Sequence, residues 1–186
     1  ITGRLYDWST DGKRLVYDDQ QEVWLLDLAT RNAAPILRGA GRKVNLRISP
    51  DGKYTAYASD VSGRDEIYVQ SFPGGEGRWL ISTNGGVLPC WSRRADELFY
   101  VEGASLMSVK VQTRPVFAAG RPHEVFNSEG SGVALFSFSP RISDYDATPD
   151  GKQFVAVRRV PGPPDAITVI ENWVGDLKSE PQNIPQ

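Results

Sequence analysis

The sequence predicts an all-β fold of β-propeller blades, about four of them, each a sheet of four antiparallel strands. Three observations predict it. A hairpin-turn motif recurs four times, apolar residues alternate with period two around the turns, and further strand-like runs follow each turn in order. The recurring segments are Asp7–Tyr17, Arg47–Tyr57, Cys90–Tyr100 and Ala147–Val157. Measured on the Ser or Thr at 9, 49, 92 and 148, they lie 40, 43 and 56 residues apart. The first two spacings match the ~40–45 residues of a four-stranded blade.

The turn chemistry is local. In Ser49-Pro50-Asp51-Gly52, Pro presets φ, Ser and Asp can bond nearby backbone groups, and Gly accepts positive φ without steric cost. This suits a type I turn followed by a glycine bulge. Asp11-Gly12, Asp51-Gly52 and Asp150-Gly151 are therefore assigned to turn formation, while the third repeat has Arg94-Ala95 there. After this turn Tyr54, Ala56 and Ala58 should point one way, and Thr55, Tyr57 and Ser59 the other.

Third strands are expected at 22–28, 66–72, 105–111 and 166–170, and short outer strands at 35–37, 79–81 and 124–126. A lone sheet cannot bury both faces, so the blades must stack around an axis. Expected blade limits are 1–40, 41–83, 84–127 and 128–174, within a propeller region of 1–178 and before a loose tail at 179–186. The extra length before the fourth turn suggests an added strand or extended loop at Val133–Ser139. The fourth repeat shows no evident outer strand, the Pro-rich stretch 160–165 reads as a stiff loop, and 171–178 could form a short helical turn.

Composition narrows the function. The net charge of −2, with Lys and Arg scattered, argues against a nucleic-acid binder. One cysteine, Cys90, allows neither an intrachain disulfide nor a cysteine-based zinc site, and its place before Trp91 on an inner strand suggests a buried thiol. No 18-residue apolar run marks a membrane helix. The start at Ile1 has no leader character and lacks Met, so it reads as a processed chain or a piece of a longer one.

No catalytic constellation accompanies the repeat. Nucleophilic catalysis needs a nucleophile, a base and an orienter. The single histidine, His123, precedes an outer strand and suits a blade rim, and no Gly-x-Ser-x-Gly elbow occurs. Asp144, Asp146 and Asp150 miss the calcium-loop spacing. No catalytic residue, metal ligand or cofactor is therefore assigned. Trp8 and Trp91 share one repeat position, which indicates packing between blades.

Ser-Pro-Asp-Gly-Lys turns of this kind resemble the WD-repeat-like blades of TolB-like propellers. The stretch Asp65–Gly75, the runs Glu97–Tyr100 and Leu106–Val109, and the ending Ile170-Glu171-Asn172-Trp173 resemble the C-terminal propellers of bacterial membrane serine/threonine kinases. The resemblance implies that these blades are the last part of a six- to eight-bladed ring. It also implies a sensor or interaction role with a protein, peptide or small ligand, placed on the extracytoplasmic side. The alternative is an accessory propeller of a prolyl oligopeptidase-type hydrolase whose catalytic domain lies outside this chain. In a propeller the inner strands line the axis, which makes Asp7, Arg47 and Asp146 candidate channel-lining residues, with Gly41-Arg42-Lys43 and Gly85-Gly86 on the loops leading in. Open blade edges would also allow self-association.

Overall fold

A computed structural model of the chain describes residues 3–19, 22–74, 77–135, 143–148, 151–158 and the strand 166–170. It is an arc of antiparallel sheets, and no helix occurs among the described residues. The first sheet is a meander of β1 (Arg4–Trp8), β2 (Arg14–Asp18), β3 (Val23–Asp27) and β4 (Ala33–Leu37). The second repeats it with β5 (Lys43–Ile48), β6 (Tyr54–Ser59), β7 (Glu66–Ser71) and β8 (Arg78–Leu80). In the third, β9 (Val87–Trp91), β10 (Glu97–Glu102) and β11 (Ser105–Gln112) are followed by a divided outer strand. Its parts, β12 (Ala118–Ala119) and β13 (His123–Asn127), pair with opposite ends of β11.

The fourth sheet departs from expectation. β14 (Val133–Ala134) pairs with Val157 and Arg158 of β16 (Phe154–Arg158), and β15 (Tyr145–Ala147) pairs with Phe154 to Ala156 of the same strand. Since β17 (Ala166–Ile170) also pairs with β16, β14 and β15 are two pieces of one inner strand. The extra length of this repeat is thus an insertion within the inner strand, and Val133 begins no separate layer. The end of the Val133–Ser139 segment, the 160–165 loop, any outer strand of this sheet, 171–178 and the tail lie outside the described residues.

Three apolar cores join the sheets. Tyr6, Val16, Val23 and Leu37 of the first meet Leu46, Ile48, Tyr57, Tyr68 and Phe72 of the second. Tyr54, Ala56, Ala58 and Val69 of the second meet Trp91, Leu98, Tyr100 and Val109 of the third. Phe99, Val101, Leu106 and Phe126 of the third meet Leu135, Tyr145, Phe154 and Ala156 of the fourth. The alternation predicted along β6 therefore sends Tyr54, Ala56 and Ala58 to one core and Tyr57 to another, and all six residues of the strand are buried. Strand alternation here separates two neighbours, where in a one-sided sheet it would separate core from water.

Trp8 and Trp91 do not share a fate. Trp91 is 8% exposed, and its indole N–H donates to the Arg47 carbonyl of the preceding sheet at 3.1 Å. Trp8 is 57% exposed and Leu5 59%, because no described sheet packs on their side of the first blade. The expectation of inter-blade packing holds for Trp91 alone.

Each turn is built around one hydroxyl. Ser49, wholly buried, donates to Asp51 Oδ1 at 2.7 Å and accepts the Tyr54 N–H at 3.0 Å, while Gly52, at φ 68°, donates to the Ser49 carbonyl at 2.8 Å. Ser9, Asp11 and Gly12 repeat the arrangement. In the third turn Ala95 takes the glycine place at φ 56°, and Asp96 accepts the Ser92 hydroxyl at 2.8 Å. In the fourth, Gly151 donates to the Thr148 carbonyl at 2.8 Å, and Asp150 lies outside the described residues.

A Cβ added at Gly52 would touch nothing within 4 Å, so Gly52→Ala isolates backbone strain. It should cost about 1–2 kcal/mol in urea unfolding. Ser49→Ala, which strips a buried hydroxyl from its partners, should cost about 1–3 kcal/mol. Wild-type stability in both variants would contradict this account of the turn.

Candidate functional site

The three residues predicted to line the axis, Asp7, Arg47 and Asp146, fall in one row, and Cys90, expected to be a buried thiol, joins them there. Asp7, Arg47, Cys90 and Asp146 each stand one place before the last residue of their inner strands, β1, β5, β9 and β15. Each pairs with the corresponding residue of the second strand, respectively Val16, Ala56, Phe99 and Val155. The row is made by the repeat: the same offset from each turn puts one residue per blade on the inner edge.

Polar contacts clamp neighbouring inner strands together along this row. Asp7 Oδ2 accepts the Ile48 N–H of the next blade at 2.7 Å, and its Oδ1 accepts the Trp8 N–H at 2.9 Å. Arg47 Nη1 donates back to the Tyr6 carbonyl at 2.9 Å. Cys90 Sγ approaches Asp146 Oδ1 at 3.5 Å, and the same oxygen accepts the Ala147 N–H at 2.8 Å. Behind them the buried Tyr145 hydroxyl donates to the Leu88 carbonyl at 2.6 Å.

The electrostatics follow from these positions. Burial holds the Asp7 carboxyl above its ordinary value, against the opposing pull of the Ile48 and Trp8 N–H groups and the Arg47 charge. Burial, reinforced by the Asp146 carboxylate, pushes the Cys90 thiol up to about 12. Burial likewise raises the Tyr145 phenol well above its usual value. The Arg47 charge opposes this rise at Asp7, Cys90 and Tyr145 alike, and burial outweighs it at each.

This arrangement is not that of a nucleophile. A thiol that keeps its proton to about pH 12 is a poor nucleophile at neutral pH. The single histidine, His123, begins β13 at the outer edge of the same sheet, three strand spacings from Cys90 on β9, or about 14 Å. Among the described residues no group of three or more His, Cys, Asp or Glu is placed to hold a metal ion.

The predicted entry loops lie at the opposite end of the inner strands from the hydroxyl-centred turns. Arg42 binds Asp65 through Nη2 at 2.9 and 3.0 Å, and its N–H meets Asp60 Oδ1 at 2.7 Å. Lys43 Nζ is bound by the carbonyls of Gly39, Ala40 and Gly41. Sequence reasoning missed Tyr6 and Tyr145, whose hydroxyls donate to Asp18 Oδ2 and to the Leu88 carbonyl. The available signal was that they stand at the same place in their repeats, one residue before Asp7 and Asp146.

Fold and row together define an arc of β-propeller blades with a polar inner edge. No family model matches the chain. The uncharacterized peptidase YuxL of Bacillus subtilis (strain 168) is 32% identical over 97 residues, covering 46% of this chain and 15% of that protein. Among solved structures, TolB from Acinetobacter baumannii superposes with a TM-score of 0.62 at 20% identity over 87% of this chain and 38% of its own. A puromycin-hydrolyzing peptidase of Mycobacterium tuberculosis gives 0.62 at 12% identity over 84% of this chain and 28% of its own. At such identities the two structures establish the fold alone. The chain spans well under half the length of each of these three proteins.

The raised thiol predicts that Cys90 resists alkylation at pH 8.5, since a raised pKa moves the onset of thiolate to higher pH. Asp146→Asn removes a neighbouring negative charge and should speed labelling of the folded chain. Labelling of the wild type at the rate of a free thiol, or no response to Asp146→Asn, would contradict this electrostatic picture.

Proposed function

We propose that the chain is a non-enzymatic interaction module that binds a protein or peptide along the concave inner edge of its blades. The observation that carries this reading is the state of the row. Asp7 and Asp146 already receive backbone N–H groups, whereas Arg47 is exposed and, among the described residues, commits one N–H, to the Tyr6 carbonyl. A guanidinium held in this way suits a partner carboxylate, which it can engage with two parallel bonds.

The ring belongs to the same reading. A further blade would cover the face of Trp8 and Leu5, as the second sheet covers the face of Trp91 and Leu98. Six to eight blades in all, within a longer bacterial protein, fit the resemblance to TolB-like and kinase-linked propellers. An extracytoplasmic sensor placement is carried by that resemblance.

A second reading is favoured by one specific observation, the 97-residue match to a peptidase. In it, the blades are the accessory propeller of a hydrolase whose catalytic residues lie outside this chain. The surrounding reading frame separates the two. A Gly-x-Ser-x-Gly hydrolase downstream selects the second, and a kinase with a membrane span upstream selects the first.

The binding reading is tested with a displayed peptide library rich in Asp, Glu and free carboxyl termini. Selected peptides should lose about tenfold or more in affinity, or roughly 1.4 kcal/mol, on Arg47→Glu. They should be indifferent to Arg94→Glu, a charge reversal on the exposed third turn. A library without binders, or binders indifferent to Arg47→Glu, would sink the proposal.

A further inference from the structure

A second polar cluster lies between the second and third sheets, apart from the inner row, around the loop of residues 82–86. Glu66 opens β7 and is buried. Arg64 Nε pairs with its Oε1 at 2.6 Å, and its Oε2 accepts the Gly85 N–H at 3.0 Å and the Ser82 hydroxyl. Arg64 also donates to the Thr83 carbonyl at 3.2 Å and to Asn84 Oδ1 at 3.5 Å, and Asn84 Nδ2 donates to Glu102 Oε1 at 3.1 Å. A chain of bonds thus runs from Glu66 through Arg64 and Asn84 to Glu102.

Two oxygens at this loop are left over. The Tyr100 hydroxyl and Glu102 Oε2 are buried and find no hydrogen-bond partner among the described residues. Tyr100 is 0% exposed. Tyr100 and Glu102 stand two apart on β10, so they share a face of the sheet. The Tyr100 ring runs close beside the loop: a Cβ at Gly86 would lie 3.0 Å from Tyr100 Cδ2 and 3.1 Å from Ser82 Cβ. Only a residue without a side chain lets the phenol pass there. Burial, with the Glu102 and Glu66 charges, holds this phenol well above its usual value, so it stays a neutral oxygen at neutral pH.

The charges are unequal. Glu66 has Arg64 as counter-ion, whereas the partner described for Glu102 is the neutral Asn84 amide. A water molecule could complete the hydrogen bonds of the two spare oxygens but would leave the Glu102 charge uncompensated. Partly buried carboxylates are normally paired or bound to a metal. The Asn84 amide oxygen is turned to Arg64, which leaves the Glu102 carboxylate oxygen as the charged ligand for a hard cation that takes water in its remaining positions, with the neutral phenol oxygen offering a lone pair beside it.

We propose that Glu102 Oε2 and Tyr100 Oη are ligands of a hard divalent cation of the Ca²⁺ class, seated at the loop of residues 82–86 between the second and third blades. The site would tie the end of β10 to the loop entering β9. It needs no histidine and only one uncommitted carboxylate, so no spacing of acids along the chain marks it.

The test is titration of the full chain with Tb³⁺, read by emission sensitised through nearby aromatic rings, and with Ca²⁺ by calorimetry. One saturable site per chain is expected, with Ca²⁺ displacing Tb³⁺. Glu102→Gln should weaken binding at least tenfold. Tyr100→Phe, which keeps the ring and removes one oxygen, should weaken it several-fold and cut the sensitised emission. Arg47→Glu should leave it unchanged, so failure of this site and failure of the inner-edge reading are separable. Absence of saturable uptake by the wild type, as expected if water alone fills the place, overturns the proposal. So does wild-type affinity in both Glu102→Gln and Tyr100→Phe.

Discussion

Every interior sheet here has two apolar faces, and the fold depends on both being covered. A one-sided sheet can turn its second face to water. Strand β6 cannot: Tyr54, Ala56 and Ala58 belong to one core and Tyr57 to the next, and all six of its residues are buried. The repeat supplies each face with a partner of the same construction. Stability in such an array passes between nearest neighbours. The first sheet shows the consequence, since the Trp8 position, dry in the third blade, is exposed in the first.

The buried turn hydroxyls transmit this constraint to the inner edge. Ser9, Ser49 and Ser92 are all buried and all bind the backbone where the second strand begins. They therefore hold the inner hairpin in register, and the residue two places before each hydroxyl falls at the same point on the inner strand. Asp7, Arg47, Cys90 and Asp146 form a row for this reason. Their chemistry differs from blade to blade while their placement does not, as expected where a scaffold is repeated and a surface is free to vary.

Much of this was legible in the sequence because its causes are local. Turn chemistry and period-two alternation placed the four hairpins, and the third strands came out within a residue or two of Val23–Asp27, Glu66–Ser71 and Ser105–Gln112. Asp7, Arg47 and Asp146 could be placed on the inner edge from repeat position alone. What escaped depends on contacts far apart in the chain. Trp8 and Trp91 look equivalent until their neighbours are known. The split inner strand β14 and β15 needs pairing partners far ahead in the chain, Arg158 for Val133 and Val157 for Ala134. The Glu66–Arg64–Asn84–Glu102 chain draws on three separate segments, and no spacing announces it.

The central claim is that blades are held by faces shared with their neighbours, and hydrogen exchange followed by mass spectrometry in Tyr57→Ala tests it most directly. Tyr57 is buried on the face of the second sheet that meets the first. Its truncation should speed exchange in β1 to β3 as well as in β6 and β7, while β10 and β11 of the third blade keep more of their protection. Faster exchange confined to the second blade, or equal loss of protection across every blade, would contradict the account.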